Sequence, residues 1–187
     1  MKLLAKSRRD FANSLMNPER ERWNRKHRER GHDLPSIPLL MYQGRLAPGR
    51  ALDMAGGLGE NAAILALAGW RVTMVDLSDE AVRRAKDRAR ELRADVRIVQ
   101  ADALRLPLRG PFDTIVVTRF LEHSIAPELV RLLAPGGTIL CEQPTRGIHE
   151  AYCAKPGEFS RLFGALETVL DTVEGDLAVY IGRKRQR

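Results

Sequence analysis

The sequence predicts an α/β fold: a three-layer α/β/α sandwich around a seven-stranded, mostly parallel sheet with a C-terminal antiparallel hairpin. Three observations carry that expectation. From Arg50 onward, short apolar runs alternate with stretches of helical period. The first run, Ala51-Leu52-Asp53-Met54, passes directly into a glycine turn, Ala55-Gly56-Gly57-Leu58-Gly59. The last two runs, Thr168 to Val173 and Leu177 to Ile181, face each other across Glu174-Gly175-Asp176, which is hairpin spacing. A mostly parallel sheet buries both faces, so helices must cover each side.

The elements follow in order. Residues 1–34 form a basic leader in which Phe11 and Leu15 sit one helical turn apart. Pro18 is expected to stop that amphipathic stretch, leaving Trp23 alone among Glu21, Arg22, Asn24 and Arg25. Pro35 and Pro38 punctuate the entry to a short apolar helix ending at Tyr42. A helix from Asn61 to Ala68 follows the glycine turn and stops at Gly69. Arg71 to Asp76 is the second strand, and Ser78 caps the next helix with Asp79 and Glu80 in its first turn. That helix stripes Ala81, Ala85, Ala89 and Leu92 inward and shows Arg83, Lys86, Asp87 and Arg90 to water. Val96 to Gln100 and Phe112 to Thr118 are the third and fourth strands. A helix near Pro127 to Leu133 leads through Pro135-Gly136-Gly137 into the fifth strand, Thr138 to Glu142. Pro156 is placed to open a last helix through Phe159 and Leu162 to Leu166.

The bulk properties bound the function. The 187 residues suit one domain, here 35–183, between the leader 1–34 and a basic tail, 184–187. No apolar run approaches the roughly 20 residues that span a bilayer, and the first residues lack the apolar core of a secretory signal. Cys141 and Cys153 make neither CxxC nor a zinc spacing, so a cytoplasmic protein with no structural metal is expected. The net charge of +7 is unevenly placed: residues 1–30 hold ten Lys/Arg against four Asp/Glu, Arg183 to Arg187 add four more cations, and the body between is slightly acidic. Such basic ends can hold nucleic-acid phosphates, although 5% aromatic residues leave few rings for base stacking.

The chemistry lies at the strand ends, where ligands of such sheets bind. Asp53, Asp76 and Asp102 end or follow the first three strands, with the glycine turn between the first two. A nicotinamide dinucleotide is one occupant to weigh. Gly56, Gly57 and Gly59 do not give G-x-G-x-x-G, however, and Asp53 would repel a pyrophosphate. The same carboxylate suits the α-ammonium of a methionine-bearing cofactor, Asp76 suits a ribose diol, and Asp102 with Ala103 suits an adenine amino group. The glycines let bare backbone approach the ligand.

The segment Ala51-Leu52-Asp53-Met54-Ala55-Gly56-Gly57-Leu58-Gly59-Glu60-Asn61-Ala62 resembles motif I of class I S-adenosylmethionine-dependent methyltransferases, which have a Rossmann-like sheet. The resemblance continues through Gly69 to Ser78, Gln100 to Ala103 and Leu133 to Gly137, covers roughly residues 20–183, and is closest to the tellurite-resistance and thiopurine methyltransferase branch. It implies S-adenosylmethionine as cofactor, held by Trp23, Asp53, Ala55, Gly56, Gly57, Gly59, Asn61, Asp76, Leu77, Asp102, Ala103 and Arg119. Trp23 resembles the tryptophan of an N-terminal segment that closes over the cofactor. Ala55 departs from the pattern, since many members have glycine there.

Methyl transfer is an in-line displacement at a sulfonium carbon, dominated by positioning and exclusion of water. A thiolate needs no base, whereas a hydroxyl or amine can need one, and Arg119, Glu122 and His123 are the catalytic candidates. Glu142, Arg146, His149 and Tyr152 form a second polar lip after the fifth strand. No Asn/Asp-Pro-Pro-Tyr follows strand four and no Pro-Cys dipeptide occurs, which argues against adenine amino and cytosine C5 chemistry. The expected activity is methylation of a small-molecule acceptor, with a thiol, chalcogen or other soft nucleophile favoured. The alternatives are an RNA or protein methyltransferase using the basic termini, and a non-catalytic S-adenosylmethionine-binding module. A nicotinamide-dependent oxidoreductase is the remaining rival.

Overall fold

The fold was analysed in a computed structural model of the chain, which describes residues 17–31, 34–120, 122–147 and 152–186. Six helices and seven strands occur among them in the order α1 (Pro18–Glu29), α2 (Ile37–Tyr42), β1 (Arg50–Met54), α3 (Glu60–Leu67), β2 (Arg71–Asp76), α4 (Asp79–Glu91), β3 (Val96–Gln100), β4 (Phe112–Thr118), α5 (Ala126–Leu132), β5 (Leu133–Pro144), α6 (Glu158–Leu162), β6 (Glu167–Glu174) and β7 (Leu177–Arg183). The strands form one sheet in the order β3-β2-β1-β4-β5-β7-β6. Pairings from β3 to β5 are parallel, and β7 is antiparallel to both β5 and β6. The chain leaves β1 in one direction for β2 and later returns on its other side as β4, so the order reverses at β1.

Both faces of the sheet are buried along its central strands, which explains their near-continuous apolar runs. Leu52, Met54, Ile115, Ile139 and Tyr180 point to the layer holding Leu129, Phe159 and Phe163 from α5, α6 and the residue after it. Their neighbours Ala51, Val116, Leu140 and Ile181 point the other way, against Leu39, Leu65 and Ala85 of α2, α3 and α4. This alternation at a period of two builds the sandwich from short strands. Among the described residues no helix is long and apolar enough to cross a membrane.

Several local expectations are corrected. Pro18 opens a helix rather than ending one: it occupies the first turn of α1, where its missing N–H costs nothing, and the Asn17 side chain accepts from the Arg20 amide. Trp23 therefore sits mid-helix. The Phe11–Leu15 stretch lies outside the described residues. β5 absorbs Pro135-Gly136-Gly137 instead of starting after them, because Leu133 already pairs with Phe112 and Thr138 with Thr114. Pro156 stays outside α6, whose N-cap is Gly157 in a left-handed conformation (φ 66°), and the helix ends at Leu162. Ser78 caps α4 as expected, accepting from the Ala81 amide at 3.1 Å, but Leu92 at its far end is exposed.

Gly59 shows how the sheet edge is tuned. It precedes α3 at φ 83°, and a Cβ there would lie 2.9 Å from the Cβ of Ala85 on α4. Gly59→Ala is expected to destabilise the protein by about 2 kcal/mol, combining a left-handed backbone penalty with overpacking between α3 and α4. Urea unfolding followed by circular dichroism measures it, and an unchanged midpoint would show that α3 can shift at no cost.

Candidate functional site

A cavity of about 630 Å³ opens at the carboxyl ends of the central strands, where the strand order reverses. Its floor is the turn after β1, with Ala55, Gly56, Gly57 and Leu58. Asp76 and Leu77 at the end of β2, Asp102, Ala103 and Leu104 after β3, and Thr118, Arg119 and Phe120 at the end of β4 form its sides. Glu142, Gln143 and Pro144 at the end of β5, with Tyr152, complete the far wall. The roof is α1, which turns Glu19, Arg22, Trp23, Lys26, His27 and Arg30 toward the cavity, a stripe at helical spacing.

The glycine turn is bare for two reasons. A Cβ on Gly56 would lie 2.6 Å from Oδ2 of Asp53 and 2.8 Å from Cγ of Met74, so packing from beneath demands glycine there. Gly57 has φ 56°, and its open side faces the cavity. Ala55 also takes a left-handed conformation, φ 51°, a strain of roughly 1 kcal/mol that a glycine at this position would avoid.

Asp76 is fixed by the turn it faces. Its Oδ2 accepts the Gly57 amide at 2.9 Å and its Oδ1 the Ser78 amide at 2.8 Å. Burial pushes its pKa up to about 6, although the amides of Ser78, Gly57 and Leu77 oppose the shift. Each oxygen keeps a lone pair for a further donor. Asp102 accepts the Leu104 amide at 2.9 Å and opens a short turn carrying Ala103 and Leu104 along the cavity.

On the opposite side a polar chain runs through Asn61. Its Oδ1 accepts the Ser36 amide at 2.8 Å, and its Nδ2 donates to Oγ1 of Thr118 at 3.0 Å. The Ser36 hydroxyl donates to the buried carboxylate of Glu142. Arg119 holds the unusual φ of 55°, its amide donating to the Glu142 carbonyl at 2.8 Å while Nε lies 3.6 Å from Glu142 Oε1. A non-glycine residue in that conformation is costly, and such strain concentrates at functional sites. Glu122 lines the cavity but caps the next turn, accepting from the amide and hydroxyl of Ser124, and these bonds hold its pKa below the ordinary value.

Three sequence-predicted site residues lie elsewhere. Asp53 is fully buried beneath Gly56, with no side-chain hydrogen-bond partner, and is not part of the cavity wall. Burial pushes its pKa up to about 8, the Ala62 amide at the start of α3 works against the shift, and the charges of Asp76 and Glu60 add to it. Gly56 thus stands between Asp53 and the cavity, where the sequence reading placed a direct ion pair with an ammonium. Gly59 packs on Ala85 rather than on the cavity, and His123 is exposed outside it, bonded to Glu158 at 2.7 Å. Arg146 likewise points away, pairing with Asp176. His149, residues 1–16 of the basic leader and Arg187 at the end of the tail lie outside the described residues.

Sequence reasoning missed the roof helix and what holds it. Asn24 and His27 of α1 are buried, and Asn24 bonds the start of α4. The signal was present: Asn17-Pro18 with Glu19 and Glu21, then Lys26 and Arg28, is the start-to-end charge order of a helix. Ser36, Glu60 and Gln143 of the wall carried no comparable signal.

The order of the sheet, the glycine turn after β1 and the acids after β2 and β3 define a Rossmann-like nucleoside-cofactor site. Residues 51–137 match the methyltransferase-domain family. A protein-L-isoaspartate O-methyltransferase of Dechloromonas aromatica is 37% identical over 103 residues, 54% of this chain and 47% of that protein. The chain spans about half the length of the curated relatives it matches. Among solved structures, magnesium protoporphyrin IX methyltransferase from Synechocystis PCC 6803, with bound S-adenosylhomocysteine, is similar with a TM-score of 0.69 at 16% identity, covering 88% of this chain and 97% of that one. TehB from Haemophilus influenzae is similar with a TM-score of 0.69 at 17% identity, covering 80% and 62%. At these identities the structural likeness is one of fold.

Proposed function

We propose that the chain transfers the methyl group of S-adenosylmethionine to a small-molecule acceptor, a soft nucleophile such as a thiol or chalcogen compound, as in the tellurite-resistance and thiopurine methyltransferase branch. One observation carries the cofactor assignment: a cavity whose floor is bare backbone and whose rim holds Asp76, with both oxygens oriented and a lone pair left on each. In this assignment Asp76 accepts both ribose hydroxyls, while Leu77, Asp102 and Ala103 bracket the adenine. Gly56 and Gly57 bring backbone against the methionine part, and Trp23 covers it from α1. Bound there, the cofactor supplies an electrophilic methyl carbon on a sulfonium.

The soft acceptor is supported by how the acid–base groups near the far wall are spent. Glu122 caps a turn, Glu142 holds Ser36 and faces Arg119, and His123 pairs with Glu158 outside the cavity. Glu122 and Glu142 on the cavity wall and His123 outside it thus each already have a structural partner, which suits an acceptor that ionises by itself. The residues would act by position: Arg119 and Tyr152 orient the acceptor, while Phe120 and Trp23 exclude water. Calorimetric titration with S-adenosylhomocysteine, then methyl transfer to small thiols and to matched alcohols and amines, tests this. Micromolar binding with transfer to thiols alone is expected; binding without transfer to any of them points to a non-catalytic module, and absent binding removes the cofactor assignment.

A further inference from the structure

We infer that Asn24, on α1, is a positioning residue for Asp76, so that the roof helix sets the affinity of the cofactor site from behind the ribose carboxylate. The inference rests on the cofactor seat proposed above and extends it to a residue that does not line the cavity.

The geometry is a relay of three residues. Asn24 is buried, and its Oδ1 accepts the Ser78 hydroxyl at 2.8 Å while its Nδ2 donates to Oδ2 of Asp79 at 3.0 Å. These two bonds fix the amide orientation, since the hydroxyl already accepts the Ala81 amide and must donate to an oxygen. Ser78 donates its own amide to Asp76 Oδ1 at 2.8 Å, two residues back along the turn. Asn24 therefore holds the residue that holds Asp76.

Asp79 anchors the same relay. It accepts Arg20 Nε at 2.8 Å and Gln100 Nε2 at 2.7 Å besides Asn24, and the Arg20 guanidinium holds its carboxyl well below the ordinary range. Arg20 and Asn24 are one helical turn apart, so this face of α1 grips the N-terminus of α4 while the adjacent face roofs the cavity. A separate clamp fixes the far end of α1: Arg84 donates to the carbonyls of His27 at 2.7 Å, Arg30 at 2.7 Å and Gly31 at 2.9 Å. That clamp touches neither Ser78 nor Asp76, which makes it a control for helix docking alone.

If the relay orients Asp76, part of the binding free energy depends on Asn24 through Ser78, and the two cannot act independently. S-adenosylhomocysteine affinity is expected to fall about tenfold in Asn24→Ala and by a similar factor in Ser78→Ala, and the double variant is expected to lose little more than either single one. Amide exchange at Gly57 and Ser78, the two N–H groups that Asp76 holds, is expected to quicken in Asn24→Ala. In Arg84→Met it is expected to quicken only at the end of α1. Losses that multiply in the double variant, unchanged affinity in Asn24→Ala, or Gly57 and Ser78 exchange quickened equally by Arg84→Met would each overturn the relay. Wild-type protein that binds no S-adenosylhomocysteine would instead overturn the cofactor seat, so the two failures are distinguishable.

Discussion

Asp76→Ala weakens S-adenosylhomocysteine binding by at least 100-fold, the largest loss expected from any single substitution at the cavity. The carboxylate is oriented by the Gly57 and Ser78 amides, at 2.9 and 2.8 Å, and the residue lines the cavity. Two hydroxyls donating to a charged, mostly desolvated acceptor contribute roughly 1.5–3 kcal/mol each, and the lower bound for the pair already corresponds to about two decades in dissociation constant. Alanine also strands the Gly57 and Ser78 amides, which loosens the turn that forms the cavity floor. Asparagine does not rescue: its single oxygen can satisfy one amide, but its NH₂ then meets the other N–H donor to donor. Asp76→Asn is therefore expected to bind within a few-fold of Asp76→Ala. Calorimetry on both variants checks this, and wild-type affinity in either would remove Asp76 from the ribose assignment.

The sandwich was legible because its signals are local and repeated. Each central strand is a short run buried on both faces, and Ser78 with Asp79 and Glu80 marks the start of α4 as plainly in the sequence as in the structure. The order of acids along the chain placed Asp76 and Asp102 at the cavity without any contact information. What stayed illegible depends on the third dimension. Asp53 lies one residue before the end of β1 and Asp76 ends β2, yet the Asp53 side chain turns under Gly56, so it is sealed while Asp76 reaches the cavity. Gly59 looked like a third ligand-facing glycine, but the approach of α4 through Ala85 requires it. α1 was hidden by Pro18, which reads as a stop when the preceding stretch looks helical and as a start once Asn17 caps it. Its burial of Asn24 is set by residues more than fifty positions away.

The sealed Asp53 leads to the second large effect, a fall in stability with rising pH that one substitution removes. Its carboxyl is raised from the ordinary 3.8 to about 8, chiefly by burial, with only the Ala62 amide working against the shift. Between those values the folded protein keeps a proton that the unfolded chain releases. The stability this group contributes is full below about pH 4 and is lost progressively as pH rises through 8, with Asp76 adding a smaller loss up to about pH 6. The Asp53 contribution alone is on the order of 5 kcal/mol. Asp53→Asn keeps the shape without the charge, so its urea midpoint is expected to exceed the wild-type value at pH 9 and to approach it below about pH 4. The proton also reports on the ligand: a cationic ammonium settling above Gly56 favours the ionised carboxylate beneath. Binding of S-adenosylhomocysteine at pH 7 is then accompanied by proton release, seen as an enthalpy that varies with the ionisation enthalpy of the buffer, and Asp53→Asn abolishes that variation. A wild-type stability that does not fall between pH 5 and pH 9, or an unaltered buffer dependence in the variant, would mean that Asp53 stays in one protonation state throughout and that the charge beneath the turn plays no part in holding the cofactor.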